Sequence, residues 1–132
     1  MRSTDDAFHL AIPARDLDAA YDFYVTQLGC KLARRYDDRI TLDFFGDQVV
    51  CHLSEAIDGD PGFYPRHFGV TFHHKEDFDA LVRLAQVRGI PFHAEPAQRF
   101  AGRVEEHWTV AFRDPSNNFL EFKHYRDPRM MY

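Results

Sequence analysis

The sequence predicts an α+β fold built from two tandem βαβββ modules. Three observations lead there. Each half of the chain opens on an apolar strand headed by a histidine, Phe8-His9-Leu10-Ala11-Ile12 and Arg66-His67-Phe68-Gly69-Val70. Each then carries a matching helix start, Asp16-Leu17-Asp18-Ala19-Ala20 and Asp77-Phe78-Asp79-Ala80-Leu81, and a matching stop, Leu28-Gly29-Cys30 and Arg88-Gly89-Ile90. Each closes on a strand with a potential metal ligand, Val50-Cys51-His52-Leu53 and Phe119-Leu120-Glu121-Phe122. The offset between halves drifts from 58 (67 − 9) through 61 (77 − 16) to 69 (121 − 52), which short loop insertions explain. A period near half the chain indicates a duplicated module, since a solenoid needs at least three repeats. The expected organisation is a single domain over 1–132: module one at 7–54, a connector at 55–65, module two at 66–125 and a tail at 126–132.

In chain order, residues 7–12 read as a short apolar strand broken at Pro13. Asp16 is placed to cap a helix. Leu17, Ala20, Tyr21, Tyr24 and Leu28 recur at helical spacing, and Gly29 ends the run. Strands follow at 30–36, 39–45 and 48–54, joined at Asp37-Asp38 and Gly46-Asp47. Gly59, Pro61, Gly62 and Pro65 mark 55–65 as the connector. The second module repeats the order: a strand at 66–73, a helix at 77–88 ended by Gly89, a strand near 90–95 and a loop at 96–103. Residues 105–113 then alternate, with Trp108, Val110 and Phe112 on one face and His107, Thr109 and Ala111 on the other. Asp114-Pro115-Ser116-Asn117-Asn118 is a turn in which Asn tolerates the left-handed conformation, and 119–125 is the last strand.

Alternation also sorts the candidate ligands. Phe8, Leu10 and Ile12 face the helix, and His9 faces away. Phe68, Val70 and Phe72 face the second helix, and His67 faces away. His52 and Glu121 share that outer parity, so all four candidates fall on the face opposite the helices. Ala11, Gly69 and Thr71 are small neighbours that leave room there. His107, Lys123 and Tyr125 have the same parity, while His124 does not. His52 reads as a direct ligand or as a hydrogen-bond donor beside one. Arg99 and Arg103 flank the 96–103 loop, where they are candidates to clamp an anionic substrate.

Composition narrows the class. The chain has 132 residues, 45% of them hydrophobic and 13 of them Phe, which suits a packed core. Sixteen basic and 21 acidic residues give a net charge of −5 without a basic stripe, so nucleic acid is not an expected partner. No apolar run reaches membrane-spanning length, and the first residues lack an apolar signal core. A cytoplasmic protein with two reduced thiols, Cys30 and Cys51, is the expectation.

The motifs quoted above, with Asp22-Phe23-Tyr24 and Leu120-Glu121-Phe122-Lys123, resemble the vicinal oxygen chelate superfamily of glyoxalases, extradiol dioxygenases, fosfomycin-resistance thiol transferases and bleomycin-binding proteins. The ending, with Arg126-Asp127, is similar to a small bacterial subgroup described as predicted extradiol-type dioxygenases. The resemblance implies two βαβββ modules curled around one divalent metal per cup. It implies ligands from the first and last strands of each module: His9, His52, His67 and Glu121. His9, His67 and Glu121 alone form the two-His, one-carboxylate set of non-haem Fe(II) oxygenases, so Fe(II) is the favoured ion, with Zn(II), Ni(II) or Mn(II) as alternatives. The family's usual turn has Gly where this chain has Asn117.

The expected function is a metal-dependent enzyme on a small substrate with vicinal oxygens, foremost an extradiol-dioxygenase-like oxidoreductase. His107 or Tyr125 would manage protons, and Lys123, Arg99 and Arg103 would contact substrate. Alternatives are a glyoxalase-type lyase or isomerase and a metal-free drug-binding protein. A homodimer is expected, with the cup formed within one chain or shared between two.

Overall fold

The repeat read in the sequence folds as two sheets of matching order. The computed structural model describes residues 1–132. It divides into two compact units, Met1–Pro61 with Asp114–Asn118, and Gly62–Arg113 with Phe119–Tyr132.

In the first unit the sheet runs β1 (His9–Ala14), β4 (Asp47–Leu53), β3 (Arg39–Phe44), β2 (Lys31–Arg35). The β1–β4 pair is parallel and the rest antiparallel. The crossover from β1 is helix α1 (Leu17–Tyr21), capped as expected: Asp16 Oδ1 accepts the backbone N–H groups of Asp18 and Ala19 at 2.8 and 2.9 Å. The helix then widens into a π-helical turn over Asp22–Gln27. Leu28 N–H reaches back five residues to the Phe23 carbonyl, at 2.9 Å. That spacing keeps Phe23, Tyr24 and Leu28 all buried, with Leu17 and Ala20, alongside Ile40, Leu42, Phe44, Val49 and Cys51 of the sheet. Phe8, expected to join them, is 55% exposed, because β1 begins only at His9.

The turn at 114–118 falls in the second module by chain order, but its bonds lie in the first unit. Tyr24, fully buried, donates its hydroxyl to Asp114 Oδ2 at 2.7 Å. Asn118 Nδ2 donates to the Pro13 carbonyl at 2.9 Å, and Arg15 N–H donates to Ser116 Oγ at 2.8 Å. Asn117 takes φ 64°, the left-handed conformation expected of it.

The second unit repeats the order with one strand interrupted. The expected strand 66–73 is split into β5 (His67–Phe68) and β6 (Thr71–Phe72), both parallel to β9 (Phe119–Tyr125). Gly69 explains the split. A Cβ there would lie 1.8 Å from the Glu121 carbonyl oxygen, so the chain crowds β9 where only glycine fits. Its missing side chain therefore serves backbone approach, a different role from the ligand room expected of it. Helix α2 (Lys75–Arg88) stops at Gly89 in the left-handed conformation, φ 66°. Its Phe78, Leu81 and Ala85 are buried with Val110, Phe112, Leu120 and Phe122. Next to β9 lie β8 (His107–Arg113) and the edge strand β7 (Ala94–Arg99). The expected strand at 90–95 and loop at 96–103 thus shift several residues along the chain. Pro96 does not break β7, because it sits at an irregularity in register between Ala94 and Ala97 on an edge strand, where a missing N–H is tolerated. A short 3-10 turn, Pro128–Met131, ends the chain.

Candidate metal centre

Strand register decides which side chains stand together, because directly paired residues project from the same face. In the second sheet His67 pairs with Phe119, and two residues on Gly69 lies against Glu121. Glu121 in turn faces Ala111, Lys123 faces Thr109, and Tyr125 faces His107. The outward face therefore carries His67, Glu121, Lys123 and Thr109 as one patch.

The patch is built around a dry carboxylate. The Glu121 side chain is only 7% exposed. Its Oε1 accepts the Thr109 hydroxyl at 2.7 Å. Its Oε2 lies 3.1 Å from His67 Nε2 and 3.2 Å from Lys123 Nζ, yet neither contact has hydrogen-bond geometry, and Oε2 has no hydrogen-bond partner. A buried carboxylate oxygen without a donor is costly and calls for an explanation.

His67 is oriented from the other side. Its Nδ1 lies 3.0 Å from the Phe63 carbonyl, which can only accept, so in the neutral ring Nδ1 carries the proton and Nε2 the lone pair. The Phe63 ring stacks on the imidazole at 4.6 Å and 16°, and Tyr64 meets it edge-on at 5.3 Å. His93 and Phe119 complete the aromatic cluster. In the neutral ring Nε2 and Oε2, 3.1 Å apart, both carry lone pairs. A carbonyl behind the imidazole and a hydroxyl behind the carboxylate are the outer supports that hold metal ligands. The donor set, a neutral imidazole and a carboxylate, suits a divalent ion, and the orphaned Oε2 is the observation that fits it.

The first sheet offers less. His9 is exposed, and its Nδ1 meets Gln48 Oε1, its strand partner, which leaves Nε2 carrying the lone pair. His52 pairs with Pro13, four residues further along. At the usual strand rise this is about 13 Å from the His9 row, and side chains stand roughly perpendicular to a sheet. His52 thus does not share a ligand position with His9. Register gives it another counterpart: aligning Gln48 with Phe119 makes the last-strand offset 71 (119 − 48), so His52 matches Lys123, and Val50 matches Glu121. Within either unit no three His, Cys, Asp or Glu side chains gather at one point.

The remaining candidates cluster at the far end of the second sheet. His107 pairs with both Tyr125 and Arg99, and its ring lies 4.8 Å from that of Tyr125. His107 Nδ1 donates to the Glu105 carbonyl at 2.8 Å. This row stands four residues, about 13 Å, from Glu121. Arg99 lies over the Phe100 ring, and Arg103 lines a surface pocket with Val104, Arg126, Asp127 and Pro128. Burial pushes the Cys30 and Cys51 thiols up to about 12, so neither is a thiolate at neutral pH.

With sheet order and patch in place, comparison with known proteins identifies the family. Residues 7–122 match the Glyoxalase/Bleomycin resistance protein/Dioxygenase superfamily. The chain belongs to that superfamily. A crystal structure of a glyoxalase/bleomycin resistance protein/dioxygenase from Alicyclobacillus acidocaldarius is 67% identical, with each chain fully covered and a TM-score of 0.95. The glyoxalase domain-containing protein RDO1 of Mycosarcoma maydis is 30% identical over 98% of this chain and 72% of its own length. Lactoylglutathione lyase from Agrobacterium tumefaciens shares the fold, with a TM-score of 0.69 at 18% identity over 93% of this chain and 96% of its own. Superfamily members commonly bind divalent metals and act on small molecules. Two of the supporting residues were legible by parity alone: Thr109 faces Lys123, and Gln48 shares the parity of His52. Phe63 gave no signal beyond an aromatic four residues before His67.

Proposed function

We propose that the protein is a divalent-metal-dependent enzyme for a small substrate presenting two adjacent oxygens, with an extradiol-dioxygenase-type reaction as its best reading. One observation carries the metal: the buried Glu121 Oε2, without a hydrogen bond, faces the lone pair of His67 Nε2. His67 and Glu121 hold the ion, and His9 is the third ligand, supplied by the same chain or by a two-fold-related copy. A divalent ion there supplies Lewis-acid stabilisation of charge on a substrate oxygen. Thr109 keeps the carboxylate turned, and Phe63 keeps the imidazole in the tautomer that can bind. The Phe63 ring, stacked on the imidazole, covers one of its faces.

The register position of His52 supports the dioxygenase reading over the lyase reading. Two histidines and one carboxylate leave three positions of an octahedron open, as joint binding of a diol and O2 requires. A fourth ligand would remove one of them, and the Glu121 position in the first sheet is Val50. We favour Fe(II) for this set. The metal-free drug-binder reading has the weaker support, because it gives Lys123 alone, without a directed hydrogen bond, as the partner of Glu121 Oε2. His107 and Tyr125 remain candidates for contact with the distal part of a substrate, together with Arg99.

The test is metal analysis of protein purified without chelators, followed by titration with Fe(II), Zn(II), Ni(II) and Mn(II). Bound or bindable metal at one equivalent per chain is expected. No bound metal and no affinity for any of the four ions contradicts the proposal. Oxygen uptake by Fe(II)-loaded protein with a panel of catechols, against isomerisation of thiol–aldehyde adducts, separates the two reactions. We also expect a homodimer, and a monomer by light scattering at micromolar concentration contradicts that.

A further inference from the structure

We infer that Lys123 is the resident cation of the metal-free site, exchanging with the divalent ion and then serving as the anion-binding group beside it. The inference rests on the metal reading above.

The argument starts from charge balance. The Glu121 carboxylate is nearly dry, and a buried charge needs a counter-charge. With the imidazole neutral, its proton on Nδ1 toward the Phe63 carbonyl and its lone pair on Nε2, 3.1 Å from Oε2, His67 does not provide it. Two lone pairs that close repel unless a cation stands near. Lys123 supplies one. It lies two residues along β9 on the same face, with Nζ 3.2 Å from Oε2. That contact is held by charge without hydrogen-bond geometry, so no directional bond has to be broken to move it. The side chain is 29% exposed, and the lysine stem is flexible enough to swing clear.

A divalent ion on the same oxygen competes with the ammonium for it, because the two like charges repel. Binding of the ion therefore expels Nζ. Thr71 and Thr109 flank Lys123 across the sheet, so the displaced ammonium stays on a polar row next to the metal ligands. There it meets a negatively charged oxygen of the substrate. The substrate class is thus a vicinal-oxygen compound with at least one anionic oxygen, held between metal and lysine. The first sheet has no such device: His52 occupies the matching position, beside Val50 and with no carboxylate to neutralise.

The test uses Zn2+ alone and then oxalate, a vicinal-oxygen dianion, on the full-length protein stripped of metal. Calorimetric titration should show Zn2+ binding to Lys123→Met about 10-fold tighter than to the wild type, because the competing cation is gone. Lys123→Arg should bind Zn2+ more weakly than the wild type, since a guanidinium holds a carboxylate by two bonds. Oxalate should bind the Zn2+-loaded Lys123→Met about 10-fold more weakly than the loaded wild type. If Lys123→Met does not fold, the order of wild type over Lys123→Arg carries the test. Equal or weaker Zn2+ binding by Lys123→Met, or no loss in Lys123→Arg, overturns the inference and leaves the metal reading standing. Failure of the wild type to bind Zn2+, Fe(II), Ni(II) or Mn(II) removes the metal reading, and this inference with it.

Discussion

The two sheets share strand order and differ row by row along one pair of strands. Where β1 meets β4, the rows are His9 with Gln48, Ala11 with Val50, and Pro13 with His52. Where β5 and β6 meet β9, the matching rows are His67 with Phe119, Gly69 with Glu121, and Thr71 with Lys123. One row carries the difference. Val50 is buried and apolar, so the first sheet needs no counter-charge and accepts an ordinary Ala11 beside it. Glu121 is a buried carboxylate, and two neighbours answer it: the Thr109 hydroxyl on Oε1 and the Lys123 ammonium beside Oε2. A duplicated module can thus keep its architecture while concentrating its chemistry in one copy.

The strongest way to break the comparison is to erase the charge. Glu121→Ala makes the second sheet resemble the first at the deciding row. It should lower Zn2+ affinity by more than the about 100-fold that outer-shell changes cost, measured by calorimetry. Near-normal affinity would mean that Glu121 is not a ligand.

Gly69→Ala attacks the same row through the backbone. The added methyl meets the Glu121 carbonyl oxygen, and the strand must shift. We expect a loss of about 3 kcal/mol in denaturant unfolding. The matching change in the first sheet, Ala11→Gly, should cost only about 0.5–1 kcal/mol, the glycine entropy term. Equal costs would show that the two sheets are packed alike at this row. Thr109→Val should cost about 1–3 kcal/mol, because Glu121 Oε1 is left without a donor, and should reduce Zn2+ affinity by about 10–100-fold, because Glu121 loses the bond that orients it.

The smallest effect is expected at His52. His52→Ala should change Zn2+ affinity by less than about 2-fold, as for sites that share no partner. A loss as large as that of His9→Ala would place His52 back in the ligand set.

Much of this was readable in the sequence, for physical reasons. Hydrophobic period and the Asp16, Gly29 and Gly89 signals mark local conformation, so both βαβββ patterns and their stops were legible. Parity put His67, Glu121, Lys123 and Thr109 on one face for the same reason. Register was not legible, since it depends on which strand pairs with which. Matching His52 to Glu121 by sequence offset slipped the last strand by two residues, which keeps parity and so left no internal warning. The split at Gly69 was hidden too, because a glycine needed for close backbone approach looks the same as one that leaves room. Pro96 misplaced β7 because an edge bulge can accept a proline that an inner strand cannot.

The central claim is that His67 and Glu121 hold a divalent ion at the point where their lone pairs meet. Crystals of the protein soaked with Zn2+, measured above and below the zinc edge, test it most directly. The account predicts one anomalous peak per chain at about 2.0–2.2 Å from both His67 Nε2 and Glu121 Oε2, with Lys123 Nζ moved off the carboxylate. Full occupancy at any other position, or a Lys123–Glu121 pair left intact beside an empty point, contradicts it.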